Sequence, residues 1–156
     1  MLNLFQWLND TPISSFLRRS DWGFAIIEMV HLVGLAVLGG TVLITNLRFL
    51  GVGLRRQATS RVVQELFPVF LVSLSMMLIS GGLLLTTWPL RYYYNPAFRA
   101  KMLFLFFAIA FSFLFQRTMV KSEDGNVSLM WPRIAAVISL ALWLCVGLAG
   151  RAIGVL

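Results

Sequence analysis

The segment DWGFAIIEMVHLVGLAVLGGTVLITNLR, residues 21–48, decides the fold of this chain. A helix needs about 20 apolar residues, at a rise of 1.5 Å each, to cross the hydrocarbon core of a bilayer, and this segment is long enough. It nevertheless contains Glu28 and His31. Ionisable side chains at such a depth are costly and commonly mark a site or a pathway. These two residues are therefore the first candidates for function.

The polar and small residues of this segment follow one face of the predicted helix. Residues three or four positions apart lie on the same side of a helix, and steps of three and four connect Glu28, His31, Gly34, Leu38, Thr41, Thr45 and Arg48. Larger apolar residues cover the remaining surface. We therefore predict that this stripe faces neighbouring helices and that Glu28 and His31 turn inward together.

The composition is that of an integral membrane protein. Hydrophobic residues make up 59% of the 156 residues and charged residues 12%, against about 25% charged residues in soluble proteins. The net charge of +7 comes from Lys and Arg grouped between apolar segments, where anionic headgroups favour them. We expect a lipid bilayer, and no nucleic acid, as the partner of these charges. The N-terminal residues lack the pattern of a cleaved signal peptide.

Four segments are long and apolar enough to span the membrane. We predict an all-α fold, an integral membrane four-helix bundle formed by a single domain of residues 1–156. Residues 2–19 are too polar to span and predict an N-terminal amphipathic helix in the interface. A helical turn from Ser60 leads into the second span, and Pro68 should kink that span unless the helix begins there. The spans cover about residues 22–47, 66–88, 97–119 and 132–152.

The segments between the spans suggest an orientation. Residues 48–65 form a basic loop with four arginines, and the Ser122–Asn126 turn is the most polar part of the chain. Positive charge favours the cytoplasmic side, so we expect the first loop there and both termini in the periplasm. Glycines at Gly147, Gly150 and Gly154 line one edge of the fourth span. Such edges favour close helix packing, so we expect a homo-oligomer or a subunit of a larger membrane complex.

The antiparallel order of the spans predicts partners for the ionisable pair. The end of the fourth span lies beside the start of the first, which brings Arg151 to Glu28, with Lys101 and Arg99 at the same level. We expect Glu28 to be ionised and paired, because an isolated buried charge is costly. His31 lies about 13 Å from the interface, close to the bilayer centre.

A membrane redox subunit is the first functional hypothesis, with haem b or a quinone bound near His31. A histidine inside a bundle can be an axial haem ligand, and the cationic Arg99, Lys101 and Arg151 could receive propionates. The chain has one histidine. The sixth iron position would therefore need Met76, Met77, water or a histidine from a second protomer.

Two other hypotheses stay open. In the first, the chain is a non-catalytic scaffold or assembly subunit in which Glu28, His31 and Arg151 form a structural polar cluster. In the second, it handles copper with soft ligands from His31, Met29, Met76, Met77 and Cys145. A di-iron site would need several carboxylates on facing helices, and Glu28 is the one acid inside the spans.

Several segments together resemble a bacterial family of small four-span membrane proteins of unknown function. They are FQWLNDTP (5–12), EMVHLVGLAVLGG (28–40), NLRFLG (46–51), NPAFRAKM (95–102) and WPRIAAVISLALWLCVGLAGRAIG (131–154). The resemblance implies four spans in a bacterial inner membrane and names no activity. A looser resemblance links the segment from His31 to Gly34 with copper-resistance D and b-type cytochrome bundles. Those bundles usually carry more than one histidine, so a bis-histidine haem in this chain would require an oligomer.

Overall fold

The computed structural model describes residues 2–52, 59–121 and 130–155. All regular secondary structure in these ranges is helical, as the sequence predicts. The helices are α1 (Leu2–Asn9), α2 (Pro12–Arg19), α3 (Asp21–Leu50), α4 (Thr59–Thr87), α5 (Pro89–Tyr94), α6 (Pro96–Lys121) and α7 (Met130–Ala152). The predicted Ser122–Asn126 turn and the arginines Arg55 and Arg56 lie outside the described residues.

Four of these helices, α3, α4, α6 and α7, are long and apolar enough to cross a membrane, which confirms the predicted four-span fold. Helix α4 begins at Thr59, one residue before the predicted helical turn from Ser60, so Pro68 lies inside the helix. In its first turns Val62 and Val63 are buried, whereas Arg61 and Glu65 are exposed and form an ion pair with 2.8 Å between Nε and Oε1. Part of the predicted basic loop is therefore helical.

The spans form two hairpins that pack side by side. Helix α3 packs most extensively on α4, α6 packs on α7, and α3 joins the hairpins through its contact with α7. Ring contacts of Phe67 and Phe70 with Phe113 connect α4 to α6. The buried core at this level consists of Leu38, Val42, Phe70 and Leu74. Many large apolar side chains remain on the outside, such as Leu32, Val72 and Leu148, where a bilayer would cover them.

The N-terminal segment forms two short helices that dock at one end of the bundle. Thr11 caps α2 by accepting a hydrogen bond from Ser14 N, and Pro12 occupies the first helical position. The guanidinium of Arg18 donates to Asn9 Oδ1 and to Asn9 O, at 2.7 and 2.8 Å. It also lies 5.9 Å from the ring centroid of Trp88. These contacts tie α1 and α2 to the end of α4.

Candidate functional site

The imidazole of His31 lies at the interface between α3 and α4. Its Nδ1 atom is 2.8 Å from Ser80 Oγ, and the side chain is half-buried. The next residue of α4 is Gly81, where a methyl group would lie only 3.2 Å from His31 Cε1. Glycine at this position therefore allows the imidazole to lie directly against the α4 backbone.

Ser80 decides which nitrogen of the imidazole carries the proton. Its hydroxyl donates to the carbonyl oxygen of Met76 at 2.6 Å. A serine hydroxyl has one hydrogen, so Ser80 Oγ acts as the acceptor toward His31, and Nδ1 holds the ring proton. The other nitrogen, Nε2, then carries a lone pair and makes no hydrogen bond to any residue that the structure describes. The site therefore presents a positioned basic nitrogen.

Lys101 of α6 brings positive charge to this site. It is close enough for its charge to act on His31, and its Nζ atom would be 3.7 Å from a methyl group at Gly150 of α7. The side chain is partly buried and forms no ion pair with any side chain that the structure describes. Of the residues that the sequence singled out, Lys101 is thus one whose charge acts on His31.

Glu28 does not join His31 inside the bundle. Its side chain is exposed, and in the described part of the chain it forms no ion pair with Arg151, which is exposed too. The carboxylate acts instead on Tyr92 of α5. Burial of the phenol is the larger cause that raises the pKa of Tyr92, Arg91 opposes it, and Glu28 adds to the rise. Glu28 therefore belongs to the interfacial end of the bundle.

Helix geometry explains why Glu28 does not lie on the buried face of α3 with the other residues of the predicted stripe. At 3.6 residues per turn, each step of three falls about 60° short of a full turn. Two such steps separate Glu28 from Gly34, so these residues lie about 120° apart around α3. His31 and Leu38 are seven residues apart and differ by only about 20°. Leu38, Thr41 and Thr45 are buried, so the stripe is correct from His31 onward.

The other predicted cofactor residues divide between the interior and the surface. Met76 and Met77 pack on Gly34, where a methyl group would lie 3.4 Å from Met76 Cε and 3.3 Å from Met77 Cγ. They therefore occupy the level one turn beyond His31. Arg99 is exposed and its guanidinium lies 5.5 Å from the ring centroid of Tyr93. Met29, a predicted copper ligand, is 62% exposed on the outer surface.

A groove runs along the outer surface between α3 and α4 beside this site. Its volume is about 600 Å³, and its walls are almost entirely apolar. Helix α3 contributes Ile27 and Val30, the neighbours of His31 on that side, and α4 contributes Met76 and Ser80. Ser80 therefore forms part of the groove and also holds the imidazole.

A second polar region, which the sequence reasoning missed, joins α3, α6 and α7. Asn46 Nδ2 donates to Val42 O at 2.7 Å and to Ser139 Oγ at 3.2 Å, and Trp143 Nε1 donates to Ser112 Oγ at 3.1 Å. An amide inside an apolar span commonly forms such interhelical bonds. Asn46 was the signal that could have revealed this region.

These features define a small multi-pass membrane protein: four apolar helices enclose a positioned imidazole and a separate polar region. The chain belongs to a family of unknown function, DUF6644, whose model matches residues 5–156. This assignment confirms the relationship with small four-span proteins of unknown function that the sequence motifs indicated. No curated protein and no solved structure matches the chain.

Proposed function

We propose that this protein is a membrane electron-transfer subunit that binds a quinone or quinol at His31. The observation that carries the proposal is the hydrogen bond between His31 Nδ1 and Ser80 Oγ, which leaves Nε2 as an acceptor. A quinol hydroxyl is a donor of the complementary kind. A single histidine is sufficient for this role.

His31 and Lys101 provide two groups that act in the oxidation of a quinol, which releases two protons and two electrons. His31 Nε2 accepts a hydrogen bond from one quinol hydroxyl and takes its proton as a general base. The ammonium of Lys101 offsets the negative charge left on the quinol oxygen. The two electrons pass to a redox subunit of the same membrane complex, and the remaining proton leaves to water at the interface.

The lipid-facing groove supports a ligand that arrives from the bilayer. Ligand sites are mostly apolar with a few polar groups that fix orientation, and this groove is apolar apart from its serines. An isoprenoid chain lying in the groove contacts Ser80, the residue that positions His31. A quinone that enters the groove from the membrane, where quinones are dissolved, thus reaches the residue that bonds to His31.

Haem b fits the packing of this site less well. The close approach of Gly81 to His31 and of Gly34 to Met77 disfavours a porphyrin between α3 and α4. Met76 and Met77, the predicted sixth ligands, pack on Gly34. Arg99 and Arg151, two of the predicted propionate partners, are exposed.

A scaffold or assembly subunit is the second candidate function. The bond from His31 to Ser80 and the tight contact with Gly81 are also what a structural helix lock requires. In that case the cluster consists of His31 and Ser80, and Glu28 and Arg151 lie outside it. The protein would then hold helices of a larger complex together without a cofactor.

Binding measurements on the purified full chain separate these candidates. We expect added ubiquinone or menaquinone to bind, His31→Ala to abolish binding, and Ser80→Ala to weaken it about tenfold, which corresponds to 1.4 kcal/mol. The matched control is Ser73→Ala, because Ser73 is also buried but bonds only to its own helix. A Soret band lost in His31→Ala would identify haem instead. Colourless protein that binds no quinone and is only destabilised by His31→Ala would identify the scaffold.

We also propose a bacterial inner membrane as the location, with both termini in the periplasm, and a homo-oligomer or larger complex as the assembly. The glycine edge of α7 supports the assembly only in part. Gly147 has open space beside it, whereas Lys101 already packs over Gly150. Gly147 is therefore the position from which a second copy could approach α7.

A further inference from the structure

A small cavity lies in the half of the bundle away from His31, about 15–22 Å further along α3 at 1.5 Å per residue. Its volume is about 20 Å³. Three helices provide its polar wall: Thr41, Thr45 and Asn46 from α3, Ser112 from α6 and Ser139 from α7. The proposed redox site uses none of these residues.

One buried acceptor in this wall has no partner. The amide nitrogen of Asn46 is satisfied by Val42 O and Ser139 Oγ, but its Oδ1 atom is buried without a hydrogen bond in the described residues. Asn46 is only 4% exposed. A buried acceptor without a donor is costly, and a donor must therefore come from the cavity.

The hydroxyl groups around the cavity supply both donors and acceptors. Thr41 and Thr45 donate their hydrogens to carbonyl oxygens of α3, each at 2.8 Å, so their oxygens remain acceptors. Ser112 Oγ accepts from Trp143, and Ser139 Oγ accepts from Asn46. The hydrogens of these two serine hydroxyls have no acceptor in the described residues. The wall thus offers two free donors opposite several free acceptors.

We propose that this cavity binds one ordered water molecule that bridges α3, α6 and α7. The water accepts hydrogen bonds from Ser112 and Ser139 and donates to Asn46 Oδ1 and to one threonine oxygen. Buried waters make about three hydrogen bonds, and one water needs about 10–15 Å³ by the same measure of volume. The cavity provides four polar partners and enough space for one water.

The absence of charge in the cavity wall favours water over a metal cation. The lining residues are neutral, and none of them carries a carboxylate. A cation inside a membrane bundle without an opposite charge is costly. Water satisfies the serine hydrogens as well as Asn46 Oδ1, whereas a cation would be repelled by those hydrogens.

A crystal structure of the full chain that resolves ordered waters tests the proposal directly. We expect one density peak within about 3 Å of Asn46 Oδ1. We also expect no anomalous signal there after a soak in rubidium chloride, and the same unfolding temperature in sodium chloride and choline chloride. An empty cavity would overturn the proposal. A rubidium peak, or stabilisation by sodium, would show a cation site and would overturn it too.

Two serine variants provide a second test. Ser139→Ala removes one donor to the water and one acceptor of Asn46, so we expect the unfolding temperature to fall by at least about 2 °C. Ser73→Ala is the matched control, because Ser73 is equally buried but lies outside the cavity, and we expect a smaller change. Equal effects of both variants would contradict the bridging role. If Ser139→Ala does not fold, the wild-type density still decides the question.

Discussion

His31 Nδ1 and Ser80 Oγ lie 2.8 Å apart across the interface between α3 and α4. This bond lies inside an apolar hairpin and orients the only imidazole of the chain. Hydrogen bonds between membrane helices average about 0.6 kcal/mol, so its contribution to stability is modest. Its main effect is on chemistry, because it fixes the tautomer and leaves Nε2 basic.

Replacing Gly81 tests whether His31 needs its close position against α4. Gly81→Ala places a methyl group 3.2 Å from His31 Cε1, which forces the ring or the helix to shift. We expect weaker quinone binding and a lower unfolding temperature. Gly82→Ala is the control, since nothing lies within 4 Å of a methyl group there. Equal binding by both variants would show that the imidazole position is irrelevant.

Glu28 can be located by titrating Tyr92. Burial and the Glu28 carboxylate raise the pKa of Tyr92 in the folded protein, whose ordinary value is about 10. The neutral phenol therefore stabilises the fold below pH of about 10, and this contribution is lost as the pH rises through the elevated pKa. Absorbance titration of the wild type against Tyr92→Phe isolates this group.

The Glu28→Gln variant separates the two causes of that shift. We expect the pKa of Tyr92 to fall part of the way toward its ordinary value, because burial, the larger cause, is unchanged. An unchanged pKa would place the carboxylate away from α5. The pKa of Tyr92 would stay unchanged if Glu28 faced Arg151 inside the bundle.

The sequence predicts more of the fold than of the candidate site. Hydropathy and length predict the four spans, because a chain segment in lipid must satisfy its backbone hydrogen bonds internally and therefore forms a helix. The inward position of His31 follows from its spacing with Leu38. The outward position of Glu28 was not predicted. Each step of three residues turns the helix face by about 60°, and the predicted stripe did not take this rotation into account. The role of Ser80 could not be predicted either, because it depends on a residue of another helix, 49 positions away in sequence.

The bonds of Asn46 were also beyond the reach of periodicity. Its neighbours Thr41 and Thr45 fit the stripe of α3, whereas Asn46 lies one residue to the side. It is buried because α7 packs on that side and provides Ser139. Which helix neighbours which is a property of tertiary packing, and spacing within one span does not contain it.

Substitutions of glycines in α7 test the proposed homo-oligomer. Gly147→Leu fills the open space beside that helix, and we expect it to lower the molecular mass measured by light scattering in mild detergent. Gly150→Ala should leave the mass unchanged, because Lys101 rather than a second copy packs there. A wild-type protein that is monomeric in both detergent and nanodiscs would contradict the proposed homo-oligomer.

The orientation can be measured with a single cysteine. In a Cys145→Ser background, Asn3→Cys places a thiol on the exposed surface of α1. We expect a membrane-impermeant maleimide to label it from the periplasmic side of bacterial cells. Labelling that requires permeabilised inner membranes would place the termini in the cytoplasm.

The two hairpins have a consequence for how the protein is made. Each hairpin consists of helices that follow one another in the chain, so each can enter the bilayer as it leaves the ribosome. The bond from Asn46 to Ser139 connects residues 93 positions apart and forms only after the last helix has been synthesised. During translation the amide of Asn46 therefore bonds only to Val42 of its own helix, and its second, interhelical bond forms once Ser139 is in place.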